Sequence, residues 1–346
     1  MLGQVLGVYV NSETIPPYLT ALGIDVGKQQ NLAAYHTPFP YNTEWIDDLN
    51  DRYNSTDKII VFCSELHANV AAALLTLDRT KIELHICGVI NHKFKHAKIH
   101  RWLNWFQYSK YFYANNPNFL ADRLTPQVPK AKSFDILLGC WRPNRDYIHN
   151  FITDNDLNSS VIMTYFKTWD IDLRTTDQFI PEEDGLEYIN AGNGTVQQVQ
   201  YHGQRMTLSQ VIPIEIYKQT AYTLVAETNG LNHFNFYTEK IVKPILGRRL
   251  FVVIAGQYYL HNLRAMGFKT FDGIIDETYD TVQDSSIRWN LAMEQVKRLC
   301  ELPQADILAK IQYIVDHNAQ LMMEQDWELI DNAKISPASI TQTYPA

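Results

Sequence analysis

The chain has 346 residues, and at roughly 150 residues per domain this length suggests two domains. With 46% hydrophobic and 20% charged residues it is ordinary globular protein, which excludes disorder, collagen-like repeats and coiled coil as descriptions of the whole. Thirty Lys plus Arg against 38 Asp plus Glu give a formal charge of -8, so the chain should repel polyanions unless its basic residues are segregated. Cys63, Cys87, Cys140 and Cys300 are far apart and form no CxxC pair, which argues against a zinc site or a disulfide framework and points to a reducing cytoplasm. The sequence MLGQVLGVYVN has no basic n-region or cleavage site, and no stretch of about 18 apolar residues occurs, so neither secretion nor a membrane span is expected.

In chain order, short apolar runs at Gly3–Val10, Lys58–Cys63 and Ile82–Ile90 read as strands, and the Ala/Leu-rich Ala68–Leu77 reads as a crossover helix. This βαβ pattern predicts a parallel sheet whose ligands bind beyond the carboxyl ends of its strands, where Ser64, Glu65 and His67 fall. From His92 to Lys132 eight Lys and Arg face a single acid, Asp122, and are interleaved with Trp102, Trp105, Phe106, Tyr108, Tyr111, Phe112 and Tyr113. Such a stretch is either an amphipathic helix with its tryptophans packed inward or a groove for a polyanion. Pro117, Pro126 and Pro129 mark Pro117–Ser133 as a linker.

The second half repeats the pattern. Phe134–Gly139 is a strand, RPNRDYIHNFI a helix and Ser160–Phe166 a strand; residues 177–207 form an insertion of loops or an edge hairpin. Ala221–Glu227 is a strand, Thr228–Asn235 a loop, then a helix runs through Leu246, followed by the strand Leu250–Ala255 and the helix Gln257–Met266. Ser285–Leu302 and Ala305–Asp331 are long helices. The expected domains are 1–130 and 131–346, the latter including the helical tail.

The stretch Ala226–Phe271 is the most informative. A helix opening at about Tyr237–Lys240, after a strand that ends in Glu227, turns unpaired N–H groups and a positive dipole end toward the sheet's carboxyl edge, which suits a diphosphate. Lys240 adds a full charge there, and Glu239 can accept two hydrogen bonds from a ribose diol. The residues Thr238, Glu239, Lys240, then Gly247 and Leu250–Ala255, resemble the donor-sugar motif of GT-B glycosyltransferases, especially the α1,3-fucosyltransferase and exostosin-like groups of viral or metagenomic type. The resemblance implies two Rossmann-like domains facing each other across a cleft with C-terminal helices, an acceptor side in 1–130 and a nucleotide-sugar side in 131–346. It assigns the ribose to Glu239, the diphosphate to Lys240 and a donor contact to Phe236, with Glu227, Tyr237 and Thr238 beside them. Where family members often have Pro after the turn, this chain has Arg248 and Arg249. GCWRPNRDYIHNFI at Gly139–Ile152 resembles an RPxR-type opening of a donor domain, which would let Arg142 and Arg145 clamp phosphate oxygens.

The expected activity is thus transfer of a sugar from a UDP- or GDP-sugar, without a metal or other cofactor, to a hydroxyl on a glycan or a hydroxymethylated DNA base, in the cytoplasm (of a host, for a viral chain). The alternative is a non-catalytic nucleotide- or nucleic-acid-binding protein on the same scaffold. An inverting reaction needs a base, for which Glu65 and His67 are the best placed and Asp47 and Asp48 poorer; the bland reading of Glu65 and His67 is capping of the helix near Ala68. Likewise Glu239 and Lys240 can be read as a solvated first turn, Arg142 and Arg145 as surface partners of Asp146, and Glu227 as a surface residue at a strand end. Asp154-Asn155-Asp156 and Asp170-Ile171-Asp172 match D-x-D, a pattern too common to imply a metal. His92, His96 and His100 recur at helical spacing, yet their basic neighbours oppose a cation. GxGxxG after the first strand, Walker and GxSxG motifs are absent.

Overall fold

A computed structural model describes residues 32–36, 45–63, 66, 68–115, 128–165, 184–189, 198–230, 232 and 234–327. The chain divides into two compact units, 1–104 with 233–236 and 326–346, and 105–232 with 237–325. The division at 104/105 precedes the expected linker, of which 117–127 lies outside the described residues, as does the expected strand Gly3–Val10. Among the described residues no helix is long and apolar enough to cross a membrane. The fold is mixed α/β with parallel sheets, as expected.

The first unit contains β1 (Leu32–His36), α1 (Trp45–Arg52), β2 (Lys58–Cys63), α2 (Ala68–Leu75), β3 (Ile82–Cys87), β4 (Val89–Ile90) and β5 (Lys98–Trp102). Strands β1, β2, β3 and β5 form one parallel sheet in that order. Apolar runs such as KIIVFC make β2 almost wholly buried, as expected of a strand covered on both faces. The spacing of His92, His96 and His100 does not form a helix. Asp78 accepts the backbone N–H groups of Lys95, His96 and Ala97 at 2.8, 2.7 and 2.9 Å, which fixes the approach to β5 as a loop, and His100 enters the strand.

The second unit opens with α3 (Asn104–Asn115) and continues through β6 (Lys132–Leu138), α4 (Pro143–Asp154) and β7 (Val161–Tyr165). An antiparallel meander follows, β8 (Leu186–Ile189), β9 (Gln198–Tyr201) and β10 (Gln204–Thr207), matching the expected hairpin insertion where it is described. Then come α5 (Ile214–Tyr217), β11 (Thr220–Ala226), α6 (Glu239–Leu246), β13 (Phe251–Ile254), α7 (Tyr259–Ala265), α8 (Ser285–Glu301) and α9 (Gln304–Glu324), with β12 (Phe234–Asn235) between β11 and α6 in the chain but in the first unit. The sheet order is β13-β11-β6-β7, all parallel. In α3 the inward rings are Phe106, Phe112 and Tyr113, while Trp105 is half-buried and Trp102 lies on β5, so tryptophans do not supply the buried face as expected.

Strand β12 belongs to the first unit and pairs antiparallel with β4. The pairing explains why the expected run Ile82–Ile90 breaks at Gly88. Its φ of +116° excludes most side chains, and a Cβ there would stand 2.4 Å from the carbonyl oxygen of Asn235.

Arg249 is buried in the second unit. Its Nη2 donates to Asp135 Oδ1 at 2.8 Å and to Thr220 Oγ1 at 2.7 Å, its Nε donates to Thr223 Oγ1 at 3.0 Å, and its guanidinium lies 4.0 Å from the centre of the Tyr217 ring. These partners come from the middle of β6, from the start and middle of β11, and from α5. Arg249 is therefore a structural ion-pair partner there.

Candidate nucleotide site

The order β13-β11-β6-β7 sends the chain from β6 through α4 outward to β7, and from β11 through α6 outward to β13 in the opposite direction. The neighbouring strands β6 and β11 thus flank a topological switch point, where diverging crossovers leave a crevice beyond the carboxyl ends. Helices α4 and α6 both begin at this edge, and their N-termini carry the second-unit residues singled out in the sequence.

At the end of β11, Glu227 is 0% exposed. Its Oε2 accepts from Thr238 Oγ1 at 2.8 Å, and its Oε1 accepts from the Tyr259 hydroxyl at 2.8 Å and from the Thr238 N–H at 3.4 Å. It is an internal pin between the strand end and the start of α6, which replaces its reading as a surface residue. Thr238 is the N-cap of α6, its hydroxyl accepting from the Lys240 N–H at 3.2 Å. Thr-Glu-Lys thus opens the helix as the sequence predicts.

Glu239 is 4% exposed, and its Oε1 accepts from Lys240 Nζ at 2.9 Å. This is a buried carboxylate with a local cation and differs from a solvated first turn. Lys240 Nζ also reaches the hydroxyls of Thr228 and Thr238, at 3.4 Å each, and its side chain keeps 24% of its exposure. The two carboxyls are driven in opposite directions. Burial, only partly offset by Lys240 and the hydrogen bonds, raises Glu227. Burial also opposes ionisation of Glu239, but Lys240 and Lys243 outweigh it and hold that carboxyl below the usual range. Lys243, one turn into α6, escaped the sequence reading; its spacing of four from Glu239 on one helix was the available signal.

From the β6 side, Asn144 Nδ2 donates to the Glu227 carbonyl at 3.1 Å, tying the first turn of α4 to the end of β11. Arg145 is buried and its Nη1 donates to the Cys140 carbonyl at 2.5 Å, while its Nε has no hydrogen-bond partner among the described residues. Burial and the neighbouring Arg142 push the Arg145 guanidinium down, against Glu239 and Glu227. Arg145 is thus not a surface partner of Asp146, whose carboxylate accepts from Trp141 Nε1 at 2.5 Å and from the Tyr165 hydroxyl. Arg142 is half-buried, and Trp141 beside it is 48% exposed, an aromatic at the edge that the sequence reading passed over.

Tyr237 is enclosed, its hydroxyl donating to the Tyr259 carbonyl at 3.0 Å and its ring 4.4 Å from that of Tyr259. Phe236 is buried too and belongs with the first unit. Neither ring is presented to solvent. Glu65 and His67 lie outside the described residues. Asp48 accepts from Tyr35 and Arg52, and Asp47 is exposed. Asp154 and Asp156 are exposed at the end of α4, where Asp156 has a φ of 55° and turn chemistry accounts for both; Asp170–Asp172 lies outside the described residues.

No protein-family model matches the chain, and no curated protein does.

Proposed function

We propose that the chain is a glycosyltransferase of GT-B arrangement that moves a sugar from a UDP- or GDP-sugar to a hydroxyl acceptor, with the donor held at the β6/β11 switch point. The observation that carries this reading is the convergence there of two helix N-termini with Arg145, Lys240 and an ionised, buried Glu239. A nucleoside diphosphate supplies the two groups this set lacks: an anion for the cations and a diol for the carboxylate. On binding, Lys240 turns from Glu239 to the diphosphate, and Glu239 accepts from the ribose hydroxyls.

In the transfer, the acceptor oxygen bonds to the anomeric carbon as the bond from that carbon to the diphosphate oxygen breaks. The electron pair leaves with the diphosphate, and the acceptor proton passes to a base, for which Glu65 and His67 remain the candidates. Lys240, Arg145 and the helix dipoles stabilise the leaving charge as it develops, which makes a metal unnecessary for this step. Glu227 works through Thr238 and is a positioning residue.

The test offers the full chain labelled UDP- and GDP-sugars with hydroxymethylated DNA and simple glycans as acceptors. Release of UDP or GDP coupled to labelled acceptor is the expected result. Tight nucleotide binding with neither transfer nor donor hydrolysis would instead identify a non-catalytic binding protein.

A further inference from the structure

The first sheet carries a second constellation, remote in sequence from the nucleotide site. Glu83 and His85 are two apart on β3 and so share a face of the strand, and His100 on β5 lies directly opposite His85 in the parallel register. His100 Nε2 is 3.5 Å and His85 Nε2 4.0 Å from Glu83 Oε2, and the ligand atoms of all three residues lie within 4.8 Å of one another. The imidazoles stack at 4.4 Å between ring centres, and the Phe62 ring packs on His85 at 4.8 Å. His85 is 0% exposed, whereas the side chains of His100 and Glu83 keep 22% and 16%.

We propose that Glu83, His85 and His100 form a binding site for a divalent first-row transition metal of the zinc class. Two imidazoles and a carboxylate are the ligand types such ions take, and a tetrahedral ion with bonds of about 2.1 Å needs its ligand atoms about 3.4 Å apart. The rings stack at an interplanar angle of 12°, so a shared ion requires them to turn out of the stack toward Glu83. Three residues from two adjacent strands define three corners of a tetrahedron, and the partial exposure of Glu83 and His100 leaves the fourth corner for water. An ion here would clamp β5 to β3.

Two cations face the same carboxylate and oppose the metal. Lys58 Nζ lies 3.0 Å from Glu83 Oε2 and Lys98 Nζ 3.5 Å from Oε1. Lys58 holds the oxygen nearest the histidines, so a metal has to displace it. The loop histidines His92 and His96 belong to no such cluster among the described residues.

The test is titration of the metal-free full chain with Co2+, read by its visible ligand-field bands, with Zn2+ as competitor. One equivalent of bound Co2+ with tetrahedral bands is expected, displaced by Zn2+. Both His100→Ala and Glu83→Gln should weaken binding by at least about tenfold, the lower end for loss of an ordered metal contact. Lys58→Met should strengthen binding, because it removes a competing charge; this gain cannot come from a misfolded variant. Absence of the bands, equal binding by His100→Ala, or loss of the bands in a His92→Ala/His96→Ala variant would each overturn the proposal.

Discussion

In the first unit's sheet the order β1-β2-β3-β5 steps through the chain in one direction, whereas in the second the crossovers diverge from β6 and β11. Both sheets bury ionisable groups, but in different places. The first sheet's cluster, Glu83, His85 and His100, sits within the strands, where the groups face one another across a register. The second sheet also has a pair within it, Asp135 with Arg249, but its further set, Glu227, Glu239, Lys240 and Arg145, sits just past the strand ends, where two helices begin. Divergence opens space at a sheet edge and brings two dipole ends to it, so charge at that edge can serve a ligand; charge within a sheet must be answered by neighbours or by an ion.

The largest loss of stability should follow removal of the buried pair of Asp135 and Arg249 in the second unit. Arg249→Leu leaves Asp135 as an uncompensated buried charge, and urea unfolding should show a loss of about 3–5 kcal/mol. The combined Arg249→Leu/Asp135→Leu variant should regain much of that, because the burial cost of both charges disappears. A loss of only a few tenths in Arg249→Leu would mean that the pair does not hold the sheet.

At the edge the effect should be on rate instead. Lys240→Ala is expected to lower turnover about 10²–10³-fold, the scale of removing one preorganised charge-stabilising donor, with a smaller loss of stability in urea from the cation that buried Glu239 loses while Lys243 remains. Equal turnover would remove Lys240 from the chemistry. In the first unit, Gly88→Ala should cost about 1–3 kcal/mol, from backbone strain at positive φ together with the collision at Asn235. An unchanged midpoint would show that β4 and β12 do not need their close approach. Thr238→Ala removes both the N-cap and the hydroxyl that donates to buried Glu227 and should cost about 1–3 kcal/mol, whereas Thr238→Ser keeps both and should show the smallest effect, near wild type.

The sequence pattern shows the second unit well, because its strands are uniform apolar runs and two of its helices carry clear starts, RPN at α4 and Thr-Glu-Lys at α6. It hides β5, since KIHRW has neither an apolar run nor clean alternation, and its identity depends on Asp78 fixing the preceding loop. The cluster of Glu83, His85 and His100 is hidden for the same reason: spacing groups His100 with His92 and His96, whereas its neighbours come from β3 through sheet register. At the candidate nucleotide site the residue types are legible, but burial is not. Nothing local shows that Glu227 turns inward to Thr238 and Tyr259, or that Asn144 ties α4 to β11.

The central claim, that the β6/β11 edge holds a nucleoside diphosphate, is tested most directly by calorimetric titration of the full chain with UDP and with GDP. Wild type should bind one of them at a single site, and Arg145→Gln and Lys240→Ala should each weaken that binding at least about tenfold, equivalent to about 1.4 kcal/mol. Failure of wild type to bind either nucleotide, or undiminished binding by both variants, would contradict it.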